Sequence, residues 1–307
     1  MKLIVGSRGS KLSLLQTESV IHQLKKAFPA LEVEVKIIKT LGDRMTRKPL
    51  LQIKEKGIFE KEIDEAVLRG EVDFAVHSMK DIPTTQPPGL VIAAIPKRES
   101  PYDVLVSNAN VPLKKLPPGS IVGTCSPRRE AELYHVRPDL KVKPVRGNVD
   151  TRVRKLRKGL YDAIILAEAG LHRLNMEDCI TERLSLEDFT PAPGQGALAV
   201  VAREDDERTI SLLKHVNHQP SMIEITAERA LIKEIGGGCK IPLGAIARVH
   251  GNKLSLKACI LSPDGKIRIR TSQNGSVDSP EEVGVKAAHD LLKRGADDLI
   301  RLWRGII

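Results

Sequence analysis

Val72-Asp73-Phe74-Ala75-Val76 runs directly into His77-Ser78-Met79-Lys80-Asp81, a short apolar strand that delivers polar and charged side chains at its carboxyl end. A helix predicted from about Ile58 to Arg69 precedes it and is stopped by Gly70. Upstream, Leu3-Ile4-Val5 reads as a buried strand and Gly6 to Ser10 as its turn. Lys11 to Phe28 follows as a helix, with Leu12, Leu15, Ile21, Leu24 and Phe28 at helical spacing and Pro29 as its stop. Val33, Val35 and Ile37 alternate with Glu32, Glu34 and Lys36, as in a half-buried strand, before a basic loop from about Leu41 to Gly57. Strand, loop, helix and strand in repetition predict an α/β domain with a mainly parallel sheet.

The same grammar recurs beyond the prolines at 83, 87, 88, 96 and 101. Ile121-Val122 is a strand, Gly123 to Ser126 a turn, and Pro127 to Val136 a helix ended by Pro138. Leu140 to Val145, a turn at Arg146-Gly147-Asn148, a helix from Val149 to Lys158 and a buried strand at 162–167 complete the unit. Ala197 to Ala202 is apolar enough to return the chain to the first sheet. After Pro220 the pattern changes to a helix (Met222 to Ile235), antiparallel strands joined at Gly251-Asn252 and Pro263-Asp264-Gly265, and a last helix from about Pro280 to Arg294. The expected division is 1–97 plus 197–215 as a first α/β domain, 101–192 as a second, and 219–307 as a small α+β domain. At roughly 100 to 200 residues per domain, the chain is long enough for two or three cores.

Over 307 residues, 49 Lys+Arg against 39 Asp+Glu leave a net charge of +10, and the surplus is local. Residues 121–160 hold 11 basic groups against 4 acidic, whereas 161–232 hold 6 against 13. Aromatics make up only 3%, which argues against a single-strand nucleic-acid binder that stacks bases on rings. No apolar run approaches the roughly 18 residues of a membrane span, and the N-terminus turns polar too early for a signal peptide. A cytoplasmic protein is expected, with its cysteines as thiols and no metal site, since no Cys-x-x-Cys or His partner has ligand spacing.

In an open α/β sheet, ligands sit outside the carboxyl ends of the strands, where helix N-termini present free N–H groups. Arg8 and Ser10 follow the first strand, Lys80 and Asp81 the third, Arg128 and Arg129 open one helix, and Arg146 and Arg152 flank the start of another. Ser126 suits an N-cap and Pro127 the first helical turn. Such a set wants carboxylate or phosphate, because guanidinium forks bind these groups in bidentate fashion. The basic run from Arg152 to Lys158 also reads as a solvated helix face. Asp81 either pairs with Lys80 or caps a turn, or it serves as an acid/base or as the counter-charge of a cation. Cys239, after three glycines and before Lys240, is either a buried small residue or a reactive thiol in an open loop.

These stretches resemble the hydroxymethylbilane synthase, or porphobilinogen deaminase, family over nearly the whole chain. The resemblance is carried by Ala75 to Pro83, Gly123-Thr124-Cys125-Ser126-Pro127-Arg128-Arg129, Arg146-Gly147-Asn148-Val149 with Thr151-Arg152, 162–167 with Ala169-Gly170-Leu171, and Gly237-Gly238-Cys239-Lys240-Ile241-Pro242. The family commonly has Ser where this chain has Cys125, and an apolar residue or Gln where it has Pro127 and Lys240.

The resemblance implies two α/β domains like type II periplasmic binding proteins and a C-terminal α+β domain with an antiparallel sheet, whose Cys239 holds a dipyrromethane cofactor through a thioether. It implies that four porphobilinogen units are deaminated and joined head to tail into hydroxymethylbilane, by a monomer with neither nucleic-acid nor membrane partner. Asp81 would be the catalytic carboxylate, assisting loss of ammonia and stabilising the cations that result. Ser78, Lys80, Thr124, Ser126, Arg128, Arg129, Arg146 and Arg152 would hold the cofactor, and Arg8, Ser10, Gln16, Arg173 and Gln195 the substrate. Lys56 and Phe59 would belong to an active-site loop. Two rivals remain: a non-catalytic anion-binding protein of the same architecture, and a nucleic-acid binder drawn to the basic segment at 121–160.

Overall fold

The computed structural model describes residues 2–41, 60–236 and 241–306. The chain begins with β1 (Lys2–Ser7), α1 (Lys11–Ala27), β2 (Glu32–Ile37), α2 (Lys61–Leu68), β3 (Phe74–Ser78) and β4 (Leu90–Ala94). It continues with β5 (Asp103–Ser107), β6 (Ile121–Gly123), α3 (Pro127–Val136), β7 (Lys141–Lys143), α4 (Val149–Arg157), β8 (Ala163–Ala167), α5 (Glu168–Arg173) and β9 (Glu182–Arg183). Then come β10 (Leu198–Arg203), α6 (Glu207–Leu213) and α7 (Gln219–Glu234), followed by β11 (Leu243–His250), β12 (Lys253–Leu261), β13 (Arg268–Ser276), α8 (Pro280–Lys293) and α9 (Ala296–Ile306). Two units result: residues 1–99 with 197–222, and residues 100–196 with 223–307.

In the first unit the strand order is β2-β1-β3-β10-β4. β1 lies parallel to β2 and β3, and β10 runs antiparallel to both β3 and β4. The apolar stretch from Ala197 thus returns to the first sheet, as its composition suggests. Val5, Phe74, Val76, Val200 and Ala202 pack against Val20 and Leu24 of α1 to form the core. The buried stripe of α1 is Ser13, Gln16, Thr17, Val20 and Leu24; of the face that spacing predicts, Leu24 is buried and Ile21 and Phe28 pack against the core, whereas Leu12 and Leu15 are only half-buried. Its first two turns are polar because they lie against the carboxyl ends of the strands: Thr17 Oγ1 donates to Ser7 Oγ at 3.0 Å, and Ser7 Oγ lies 3.3 Å from Ser13 Oγ.

The second unit holds a sheet of order β7-β6-β8-β5-β9 and a separate antiparallel sheet β11-β12-β13. In the five-stranded sheet β6 is parallel to β7 and β8, and β5 is reversed against β8. Both α/β sheets therefore share one layout, a mixed sheet with an antiparallel strand in the fourth position. Its central strands are apolar on both faces: Leu105 and Ile165 enter one core, Val104, Ile164 and Leu166 the other. The three-stranded sheet packs Ala245, Leu254, Leu256 and Ile260 against α7 and α8. Its second hairpin turns at Gly265, at φ +71°, where a Cβ would lie 2.6 Å from the Ala131 carbonyl oxygen, so only glycine lets this turn rest on α3.

Candidate active site

The candidate side chains of the first unit sit where β1 and β3 end. These strands are parallel neighbours, with Val5 opposite Phe74 and Gly6 opposite Ala75, so the segments at 8–10 and 79–81 leave the same edge of the sheet. Ser10 caps α1, its side chain accepting from Ser13 N, and so sits at the positive end of a 17-residue helix. Arg8 and Lys80 are both half-buried. Gln16 is buried and its Nε2 donates to Ser78 Oγ at 3.0 Å, joining two of the expected site residues directly. Met79 to Asp81 form a single 3-10 turn, so the chain wraps tightly just after the strand. Asp81 is exposed, and among the described residues its carboxylate makes neither an ion pair nor a hydrogen bond. The alternative in which it pairs with Lys80 or caps the turn is thus not the arrangement found.

In the second unit Ser126 caps α3 and Pro127 occupies its first turn, as their types predict. Thr124 Oγ1 accepts from Ser126 N at 3.1 Å, which orders the turn between β6 and α3. Arg128 and Arg129 are only 4% and 6% exposed. Their guanidiniums converge on Asp103, and Gln195 Nε2 donates to that same carboxylate at 2.9 Å. Arg146 and Arg152 flank the start of α4. Arg152 Nε donates to the Gly147 carbonyl at 2.7 Å, while Arg146 Nη1 is buried with no hydrogen-bond partner. Arg173, at the end of α5, donates from Nη2 to the Gly196 carbonyl at 2.7 Å. Lys56, Phe59 and Cys239, with its neighbour Lys240, lie outside the described residues.

Two buried acids of this half escape a reading of the sequence alone. Asp103 starts an apolar strand and looks like a solvated strand end, yet it is fully buried. Glu132 stands four residues after Arg128 on α3, a spacing that brings the two together, and its Oε2 accepts from Arg128 Nη1 at 2.7 Å. A charged residue opening the run Val104-Leu105-Val106, and an Arg-x-x-x-Glu pair on a helix, are the signals that could have found them.

A family model described as "Porphobilinogen deaminase, dipyromethane cofactor binding domain" matches residues 3–211, and its C-terminal domain matches residues 222–293. The chain belongs to the porphobilinogen deaminase family. A probable porphobilinogen deaminase of Nitrosopumilus maritimus is 48% identical over 304 residues, covering 99% of this chain and 97% of its own. The porphobilinogen deaminase of Thermus thermophilus is 45% identical over 299 residues, covering 97% and 98%. Among solved structures, the methionine binding protein MetQ aligns with a TM-score of 0.45 at 14% identity, covering 70% of this chain and 89% of its own.

For a porphobilinogen deaminase, the donors present fit an acidic dipyrromethane. Arg128 Nε and Arg146 Nη1 are both buried guanidinium nitrogens with no hydrogen-bond partner among the described residues. Buried N–H groups are normally paired, so two orphans beside helix starts suit the carboxylates of such a group.

Proposed function

We propose that the chain joins four porphobilinogen molecules head to tail into hydroxymethylbilane, releasing ammonia, with Asp81 as its catalytic carboxylate and Cys239 as the attachment point of the dipyrromethane. When bound, that group supplies the pyrrole carbon to which the first substrate unit is joined. Thr124, Ser126, Arg128, Arg129, Arg146, Arg152, Ser78 and Lys80 would hold its acidic arms. Arg8, Ser10, Gln16, Arg173 and Gln195 would serve the incoming substrate and the growing chain, with Lys56 and Phe59 in a loop beside them.

The observation that carries the assignment of Asp81 is its exposed carboxylate, which has no partner among the described residues, in a motif whose other ionisable groups are Lys80 and His77, the latter held by Asp64 at 3.1 Å. Loss of ammonia from the substrate leaves a delocalised cation, and a nearby carboxylate stabilises that charge as it develops. The same oxygen can then accept the proton that leaves when the ring regains aromaticity. A spent Asp81 locked in a salt bridge could do neither. Several cations and an available carboxylate are what a chain with two carboxylates per ring and a transient carbocation requires.

The division of residues 219–307 into a domain of their own belongs to the same reading. It is supported by a cluster whose buried members run from Ala227 to Ile300. So do a monomeric state, a cytoplasmic location and the lack of nucleic-acid or membrane partners. Sparse aromatics support this, and no helix among the described residues is long and apolar enough to cross a membrane.

The test is Asp81→Asn. Because the side chain is exposed and unpaired among the described residues, the thermal midpoint should stay that of the wild type. Turnover of porphobilinogen should fall by about 100-fold or more, the scale of a lost acid/base group. Near-normal porphobilinogen consumption would reject the role.

A further inference from the structure

The last two residues of β3 are held on opposite faces of the sheet. Side chains alternate along a strand, so Phe74, Val76 and Ser78 point one way and Ala75 and His77 the other. Phe74 and Val76 pack against Val20 and Leu24 of α1, and Ser78 Oγ accepts from Gln16 of the same helix. His77 meets α2 instead, where its Nε2 lies 3.1 Å from Asp64 Oδ1. With Asp64 as a carboxylate, which only accepts, Nε2 is the donor. His77 is 7% exposed and Asp64 6%, so neither is a surface group.

Around this pair the contact between α2 and the sheet is apolar. Ile63, Ala66 and Val67 are buried on α2, and a Cβ at Gly6 of β1 would come within 3.1 Å of Ile63. Two polar side chains placed here must first lose their water, and well-packed apolar residues of similar volume would serve stability as well or better. What a directional bond adds is register, because it holds only where the His77 nitrogen faces the Asp64 oxygen. The helix side of the bond is itself fastened: Glu62 Oε1, at the start of α2, accepts from Leu41 N at 2.6 Å.

The turn that follows depends on this register. Met79 N donates to the Ala197 carbonyl at 3.0 Å, and Ile82 N closes the 3-10 turn on the Met79 carbonyl at 3.2 Å. The Asp81 side chain has no partner among the described residues, so its carboxylate is placed by the backbone alone. That backbone leaves the sheet directly from His77 and Ser78.

We propose that His77 and Asp64 are a positioning pair for the reaction, which sets the register of β3 against α2 and through it the aim of the Asp81 carboxylate. The inference rests on the reading of Asp81 as the catalytic carboxylate.

The test replaces both members of the pair by leucine. In His77→Leu with Asp64→Leu no buried polar group is stranded, so the thermal midpoint should hold or rise. The kcat should fall about 10- to 100-fold, the scale of a displacement of about 1 Å at the reacting group, with KM and cofactor loading by intact mass unchanged. A kcat equal to that of the wild type would overturn the proposal. Added to Asp81→Asn, the same two substitutions should lower kcat little further, since the carboxylate they aim is already gone. A further fall as large as in the wild-type background would overturn it too, because the pair would then act on something other than Asp81. Asp81→Asn alone separates this inference from the reading beneath it. Near-normal turnover there would reject Asp81 and the positioning role together, whereas collapsed turnover there beside a wild-type kcat in the leucine pair would reject the positioning alone.

Should the leucine pair fail to fold, two single substitutions decide. The amide nitrogen of a glutamine reaches the place of the histidine Nε2, and that of an asparagine stops at the place of Nδ1. His77→Gln should therefore keep most of the turnover and His77→Asn lose it, again with KM unchanged. Equal kcat values in these two proteins would overturn the proposal.

Discussion

Gln16 Nε2 donates to Ser78 Oγ at 3.0 Å, tying a buried amide on α1 to the residue that immediately precedes the Met79-Lys80-Asp81 turn. The bond spans 62 residues of sequence and couples the helix that Ser10 caps to the strand that delivers Asp81. Gln16→Ala should cost about 1 kcal/mol in urea unfolding, the net worth of one hydrogen bond. It should also lower kcat more than it raises KM, because the aim of Asp81 is loosened while the cationic anchors stay in place. A stability loss with kcat untouched would show that the bond serves the fold alone.

Arg146 offers the reverse signature. Its Nη1 is buried and unpaired, and an unsatisfied buried donor costs the fold about 1 to 3 kcal/mol. Arg146→Met keeps the stem and removes that cost, so the unfolding midpoint should hold or rise. Cofactor loading or chain elongation, followed by intact mass, should meanwhile fail. A variant that loses stability and still elongates would mark Arg146 as a structural residue.

The pH dependence of stability follows from Glu132. Its folded-state carboxyl is raised by burial from 4.5 to about 8, so the folded chain binds this proton more tightly than the unfolded chain. That contribution is fully present below about pH 4.5 and declines as pH rises towards 8. Asp103 has the opposite shift, so its contribution is lost only in strong acid. Unfolding midpoints between pH 5 and 8 should thus fall less steeply in Glu132→Gln than in the wild type, and parallel slopes would contradict the assignment.

What could be read from residue types was the local grammar. Ser126-Pro127 marks the start of α3, Gly70 (φ +70°) the stop after α2, and Gly251 (φ +58°) a hairpin, because each answers a backbone requirement within a few residues. Strands β4 and β5 were not legible, since Leu90–Ala94 and Asp103–Ser107 are short apolar runs among prolines, with little alternation to mark a face. Helix α9 was passed over as well, although Trp303 on it is buried and donates to the Leu261 carbonyl at 2.7 Å. The cations of the site were visible as residues at strand ends and helix starts. Their commitments were not, because the pairing of Arg128 and Arg129 with Asp103 joins helix α3 to strand β5, 25 and 26 residues apart in sequence. The polar stripe of α1 was hidden for a related reason: Ser13, Gln16 and Thr17 look solvent-facing until the ends of β1 and β3 supply their partners.

The most direct measurement of the central claim is the intact mass of the purified protein beside that of Cys239→Ala. The account predicts a covalent increment equivalent to two pyrrole units on the wild type and its absence in Cys239→Ala. A wild-type mass equal to that of the bare sequence, or an increment that survives the substitution, would contradict it.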